Sequence, residues 1–202
     1  MKKMLLASNN VGKQREIQSL LDDLDIELIT PDNLGLHLEV LEDGITYAEN
    51  AARKAMAFAR ASGLVALADD SGLEVDALGG APGLHSARYS PITGATDADR
   101  RTFLLQQLQS HPRPWPARFR CFVALANPAG QVWFADGECP GEIIPEERGH
   151  NGFGYDPIFL LPDLGLTMAE LTLEQKNHLS HRARAVTAAR PVLLKLSSPA
   201  PH

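Results

Sequence analysis

Apolar and polar residues follow two periods along this chain. Lys3–Ala7 is a short apolar run and predicts a buried strand. From Lys13 to Leu24, Ile17, Leu20, Leu21 and Leu24 recur at helical spacing, which predicts a helix. Glu27–Thr30 predicts a second strand, stopped by Pro31-Asp32-Asn33. Thr46 with Glu49 three residues on is a capping-box pattern. It opens an Ala-rich helix from Tyr47 to about Arg60 that stops at Gly63. Leu64–Ala68 is a continuous apolar strand. Gly79–Thr96 is dense in Gly, Pro and Ser and predicts loop, and Asp97–Leu108 predicts a helix.

The clearest alternation runs over Ala117–Ala126. Ala117, Phe119, Cys121, Val123 and Leu125 share one face, and Arg118 and Arg120 lie on the other. Asn127-Pro128-Ala129-Gly130 turns the chain, and Gln131–Asp136 returns as the second arm of a hairpin. Ser180–Leu196 predicts a last helix. Strands and helices alternating around one hairpin indicate a mixed α/β fold.

Composition narrows this picture. The 202 residues suit one domain, taken as 1–196, followed by a Pro-rich tail, 197–202, expected to be flexible. Hydrophobic residues at 44% and charged residues at 22% exclude a disordered chain. A net charge of −6 argues against a nucleic-acid polymer as partner. Cys121 and Cys139 are too few for a disulfide framework and suit a reducing compartment. The first apolar run is too short for a membrane span, so the expected location is the cytoplasm.

Five segments hold candidate chemistry. Ser8-Asn9-Asn10-Val11-Gly12-Lys13 sits between a strand and a helix start, where free N–H groups and the helix dipole favour anions. Its spacing equally fits a plain helix cap. It is no Walker A loop, since Gln14 stands where a magnesium-binding hydroxyl would be. Asp69-Asp70-Ser71-Gly72 follows a buried strand at its carboxyl end, where α/β proteins place ligands. Opposite faces take successive strand residues, so one carboxylate faces a crevice and the other packs or caps. An Asx turn closed by Gly72 is the alternative. Glu42, in an acidic turn, matters only if the fold brings it to Asp70; two such carboxylates can hold magnesium against phosphates. Phe153-Gly154-Tyr155-Asp156 sets two aromatic rings in a glycine loop, suited to a base or to an ordinary turn. Lys176 to Arg182, with His181 between, clusters donors at a helix start. No zinc spacing and no Gly-x-Ser-x-Gly elbow is present.

Each signal is weak alone, but their order is specific. From Leu6 to about Arg190 the chain resembles the inosine triphosphate pyrophosphatase family. The likeness rests on Ser8–Lys13, Glu49-Asn50-Ala51, Lys54-Ala55, Ala68–Asp76, Gly80-Ala81-Pro82-Gly83 and His85–Tyr89. It continues through Gly152–Phe159, Thr167–Glu170, Lys176 and Ser180-His181-Arg182. The resemblance implies a two-lobed fold with a long curved mixed sheet and a site in the cleft between lobes. It implies magnesium-dependent hydrolysis of purine nucleoside triphosphates such as dITP, ITP, dXTP and XTP to the monophosphate and pyrophosphate, in a homodimer. Ser8, Asn9, Asn10, Val11, Gly12 and Lys13 would bind the triphosphate, assisted by Lys54. Glu42 and Asp70 would bind Mg2+, with Asp70 also the general base. Ser71 would touch substrate. Phe153, Gly154, Tyr155, Asp156, Lys176, His181 and Arg182 would bind base and sugar. The chain departs from the family pattern after Asp97, where Arg100 and Phe103 replace the usual Asn and Lys, and at Ser90-Pro91-Ile92. A pyrophosphatase for modified pyrimidines and a non-catalytic nucleotide-binding module are the competing readings.

Overall fold

The computed structural model describes residues 2–197. Among them are seven strands: β1 Lys2–Leu6, β2 Ile26–Ile29, β3 Val65–Val75, β4 Trp115–Ala126, β5 Val132–Ile143, β6 Phe159–Leu161 and β7 Leu166–Thr167. They hydrogen-bond in the order β2-β1-β3-β4-β5-β6-β7. β1 is parallel to both β2 and β3, whereas β5–β6 and β6–β7 are antiparallel, so the sheet is mixed as expected. Five α-helices accompany it among the described residues: α1 Val11–Leu20, α2 Tyr47–Ser62, α3 Asp97–Leu108, α4 Leu173–Leu179 and α5 His181–Ser197. Ser197 closes α5, and the remainder of the expected tail lies outside the described residues.

The chain divides into two compact units. Of the described residues, the first comprises 2–70, Cys121–Gly137 and 182–197; the second comprises Ser71–Arg120 and Glu138–His181. In the first unit the strands are buried on both faces. Met4, Leu6, Leu67, Cys121, Val123 and Leu125 pack with Ile17 of α1 and with Ala185, Val186, Ala189 and Leu193 of α5. Leu5, Ala7, Ala66, Ala68, Ala124 and Ala126 pack on Ala51, Ala55, Phe58 and Ala59 of α2. Adjacent strand residues thus go to opposite helical layers. The near-continuous apolar run of Leu64–Ala68 is the sequence mark of that double burial. The second unit has one core, built on Leu73, Val75, Leu104, Leu108, Trp115, Phe119, Ile143, Ile158 and Phe159.

Local signals place most helix ends. Thr46 caps α2 by accepting the Glu49 N–H, and Gly63 ends it in the left-handed conformation. The box is one-sided, because Glu49 Oε2 accepts the Ile45 N–H instead. The two-way box closes on α3, through Thr96 and Asp99, and on α4, through Thr172 and Gln175. α1 stops at Leu20 and does not reach Leu24. Asp22 and Asp23 follow the Leu21 C-cap, and negative charge is unfavourable at a helix C-terminus. β3 runs on to Val75, past the turn that Asp69–Gly72 suggested. The site explains why.

Candidate active site

Asn10 caps α1, its Oδ1 accepting the Lys13 N–H at 3.0 Å. Ser8 Oγ accepts the Asn10 N–H at 3.3 Å, and the Gln14 amide holds the Ser8 carbonyl at 2.6 Å. Asn9, Asn10 and Val11 are exposed and Ser8, Gly12 and Lys13 half-buried. Of the two alternatives on spacing, the structure shows the cap, and the cap leaves the loop exposed. An exposed helix start beside a lysine is a ready site for an anion.

β3 carries Asp69 and Asp70 into two different environments. Leu67 faces the α1 and α5 layer, and so does Asp69 two residues on; Ala68 faces α2, and so does Asp70. Asp69 is buried. Its Oδ2 accepts Lys13 Nζ at 3.0 Å and Arg182 Nε and a terminal guanidinium nitrogen at 3.3 Å each. Arg182, fully buried, also pairs with Glu16 of α1. Burial opposes ionisation of Asp69, but Lys13, Arg182 and Lys54 outweigh it and hold the carboxyl far below its usual range. Asp70 accepts Asn50 Nδ2 at 2.9 Å through Oδ2. Burial pushes its carboxyl up, and Lys54 and Asn50 offset only part of that. Both carboxylates have partners, so the strand can carry them buried and continue to Val75.

Lys54 of α2 donates to the Asp69 carbonyl at 2.6 Å and pairs with Glu42 Oε1 at 2.9 Å. Burial lowers its pKa, but Asp69, Glu42 and Asp70 outweigh that, so it stays cationic. The fold therefore brings Glu42, Lys54 and Asp70 into one electrostatic group, as the sequence required for Glu42 to matter. Among the described residues no three His, Cys, Asp or Glu side chains cluster as a closed metal cage. Two carboxylates beside lysines fit a hard cation that keeps several waters and shares them with phosphate, which is the habit of magnesium.

In the second unit, Lys176 of α4 is buried and pairs with Asp156 Oδ2 at 2.6 Å. That oxygen also accepts the Phe153 N–H at 2.9 Å. Gly152, at φ +74°, is required there: a Cβ would lie 2.0 Å from Asp156 Oδ2. Lys176 Nζ stands 5.2 Å from the centre of the half-buried Phe153 ring, within cation–π reach. Tyr155 points into the core, its hydroxyl donating to the Ser86 carbonyl at 2.9 Å, so Phe153 is the ring left near the surface. His181 is buried with its ring stacked on Phe119, 4.8 Å between centroids. Ser71, next in β3, is half-buried. Gly154 is pinned on both sides, its N–H to Asp97 Oδ2 at 2.8 Å and its carbonyl to Arg101 at 2.8 Å. Arg100 and Phe103, the departures on α3, are packed: Arg100 binds the Ala95 carbonyl and Asp97, and Phe103 meets Tyr89 edge-on.

Asn50, Glu16 and the Asp69 anchor are what sequence reasoning missed. Asn50 and Glu16 are polar residues lying on the buried stripes of their helices, next to Ala51 and Ile17. A polar side chain at such a position must have a partner, and that was the available signal.

These features describe an α/β protein with an exposed helix start beside a lysine and an acid–lysine cluster within a buried strand. Residues 4–192 match the family model described as the Ham1 family. The chain belongs to that family. A dITP/XTP pyrophosphatase of Desulforamulus reducens is 45% identical over 96% of each chain. One from Geobacter sulfurreducens is 48% identical, covering 92% of this chain and 94% of that one. A solved HAM1 protein from Coxiella burnetii superposes with a TM-score of 0.87 at 42% identity, covering 96% of this chain and 100% of the other.

Proposed function

We propose that this chain is a nucleoside-triphosphate pyrophosphatase that removes dITP, ITP, dXTP and XTP from the nucleotide pool. Relatives named dITP/XTP pyrophosphatase, at near-complete coverage, support the activity. The single observation that carries the site is the pair Asp69–Asp70, one acid locked as an anchor for cations and its neighbour raised by burial.

The phosphates are assigned to Ser8–Lys13, with Lys54 assisting. Bound Mg2+, held by Glu42 and Asp70, would add positive charge where the pyrophosphate leaves. Asp70 orients the attacking water and takes its proton, and its raised basicity suits that task. Water attacks the α-phosphorus, the bond to the bridging oxygen breaks, and pyrophosphate departs. Base and sugar are assigned to Phe153–Asp156, Lys176, His181 and Arg182, with Ser71 touching substrate. The reading includes a homodimer, on family resemblance, checked by sedimentation, and a cytoplasmic location, in keeping with action on free nucleotides. No helix of the described residues is long and apolar enough to cross a membrane.

The test is product analysis with dITP and magnesium. Deoxyinosine monophosphate plus pyrophosphate is the expected pair. A diphosphate plus orthophosphate as first products would overturn the assignment.

A further inference from the structure

Four consecutive residues ahead of α2 are each held by a residue within it, in reversed order. Glu42 pairs with Lys54 at 2.9 Å, Asp43 with Arg53, the Gly44 N–H with Asn50 Oδ1 at 2.8 Å, and the Ile45 N–H with Glu49 Oε2 at 3.0 Å. The segment thus runs back along the first two turns of the helix. Asp43, Glu49 and Arg53 are solvent-accessible, and such ion pairs contribute little.

The Asn50 contact differs from the other three. Asn50 is 1% exposed, and both ends of its amide are engaged. Oδ1 accepts from Gly44, while Nδ2 donates to Asp70 Oδ2 at 2.9 Å. A Cβ on residue 44 would lie 2.6 Å from Asn50 Oδ1, so this approach exists only because residue 44 is glycine. One rigid planar group therefore ties the segment bearing Glu42 to the Asp70 carboxylate in the middle of β3.

We propose that Asn50 is a positioning residue that holds Glu42 and Asp70 in register for the reaction. This rests on the reading above, in which those two carboxylates hold the cation and Asp70 handles water. An amide is suited to the task because it is an acceptor on one side and a donor on the other. Aspartate keeps the acceptor for Gly44 but loses the donor for Asp70. Alanine loses both. Gly44→Ala displaces the amide while leaving residue 50 untouched.

The test compares Asn50→Asp, Asn50→Ala, Gly44→Ala and Asp70→Asn with the unmodified protein. Three quantities are read: dITP turnover at saturating magnesium, Mn2+ binding without nucleotide by electron paramagnetic resonance, and hydrogen exchange at the Gly44 amide. Partners that orient metal ligands are worth about 10–100-fold, so kcat and Mn2+ affinity should fall at least about tenfold in all three positioning variants. The KM for dITP should stay within about threefold, since phosphate contacts remain. Gly44 should lose protection in Asn50→Ala and keep it in Asn50→Asp, which separates lost alignment from a loosened fold. Asn50→Asp and Gly44→Ala with unchanged kcat and Mn2+ affinity, beside an inactive Asp70→Asn, would overturn the proposal alone. Full activity of Asp70→Asn would overturn the reading of Asp70 and the proposal with it.

Discussion

The carboxylates of Asp69 and Asp70, consecutive in β3, leave the strand on opposite faces and are pushed in opposite directions on the pH scale. Asp69 is driven down by Lys13, Arg182 and Lys54 against its burial; Asp70 is driven up by burial. One residue of strand period separates a carboxylate anchored by cations from one raised by burial.

Replacing each by its amide should give different failures. Asp70→Asn should cut kcat by at least about 100-fold with the fold retained, in line with general-base contributions. Asp69→Asn should instead lower unfolding free energy by about 3–5 kcal/mol, because buried Arg182 and Lys13 lose their shared counter-charge. Kinetics and urea unfolding on the two variants check this, and a stable Asp69→Asn would remove its anchoring role.

The same pair gives opposite pH signatures in the metal-free protein. Asp69's folded carboxyl lies below the unfolded value of about 3.9, so its contribution is full above that pH and is lost as pH falls toward the folded value. Asp70's is raised, so the folded state holds the extra proton and stability falls as pH rises from about 3.9 through the folded value. Urea unfolding across the acid range should show the second trend vanishing in Asp70→Asn and the first in Asp69→Asn.

Glu42→Gln should raise the magnesium concentration for half-activity by about tenfold, since one anionic ligand is lost. Saturating magnesium should restore most of kcat. An unchanged magnesium midpoint would remove Glu42 from the metal site.

Base choice should reside in polar contacts, because stacking on Phe153 accepts any base. A donor meeting adenine's 6-amino group is left unpaired, at about 1–3 kcal/mol for each such group. Two mismatches predict roughly a hundredfold preference in kcat/KM for dITP over dATP. Lys176→Met should narrow that ratio. Arg182→Ala should narrow it too and also lower stability, because Arg182 is paired with Glu16 and Asp69 as well. Equal turnover of dITP and dATP by the unmodified protein would end the donor argument.

Cys121 should be inert in the native protein. Burial, then the charge of Asp69, pushes its thiol up to about 12. Iodoacetamide at pH 8 should label Cys121 only after unfolding. Its raised folded value also means that stability falls as pH rises from about 8.5 toward 12. Labelling of the native state at the rate of a free thiol would contradict the burial.

Sequence alone determined what short-range physics encodes. Helix caps at Thr46 and Gly63, the alternation of Ala117–Leu125 and the apolar run before Asp69 are patterns within a few residues, and each is where the structure has it. The motif order also carried the family. The short β6, β7 and α4 were not legible, because two- and three-residue strands hold no period and α4 announces itself only through Thr172 and Gln175. Tertiary structure decided the partners. Arg182 meets Glu16 and Asp69 across 166 and 113 residues, and Asn50 meets Asp70 across 20. Nothing in local spacing ranks such pairs, since a buried charge takes whichever opposite charge the strand order delivers. Placing β3 beside β1 brought the start of α1 to Asp69, and packing α2 on the other face brought Asn50 and Lys54 to Asp70.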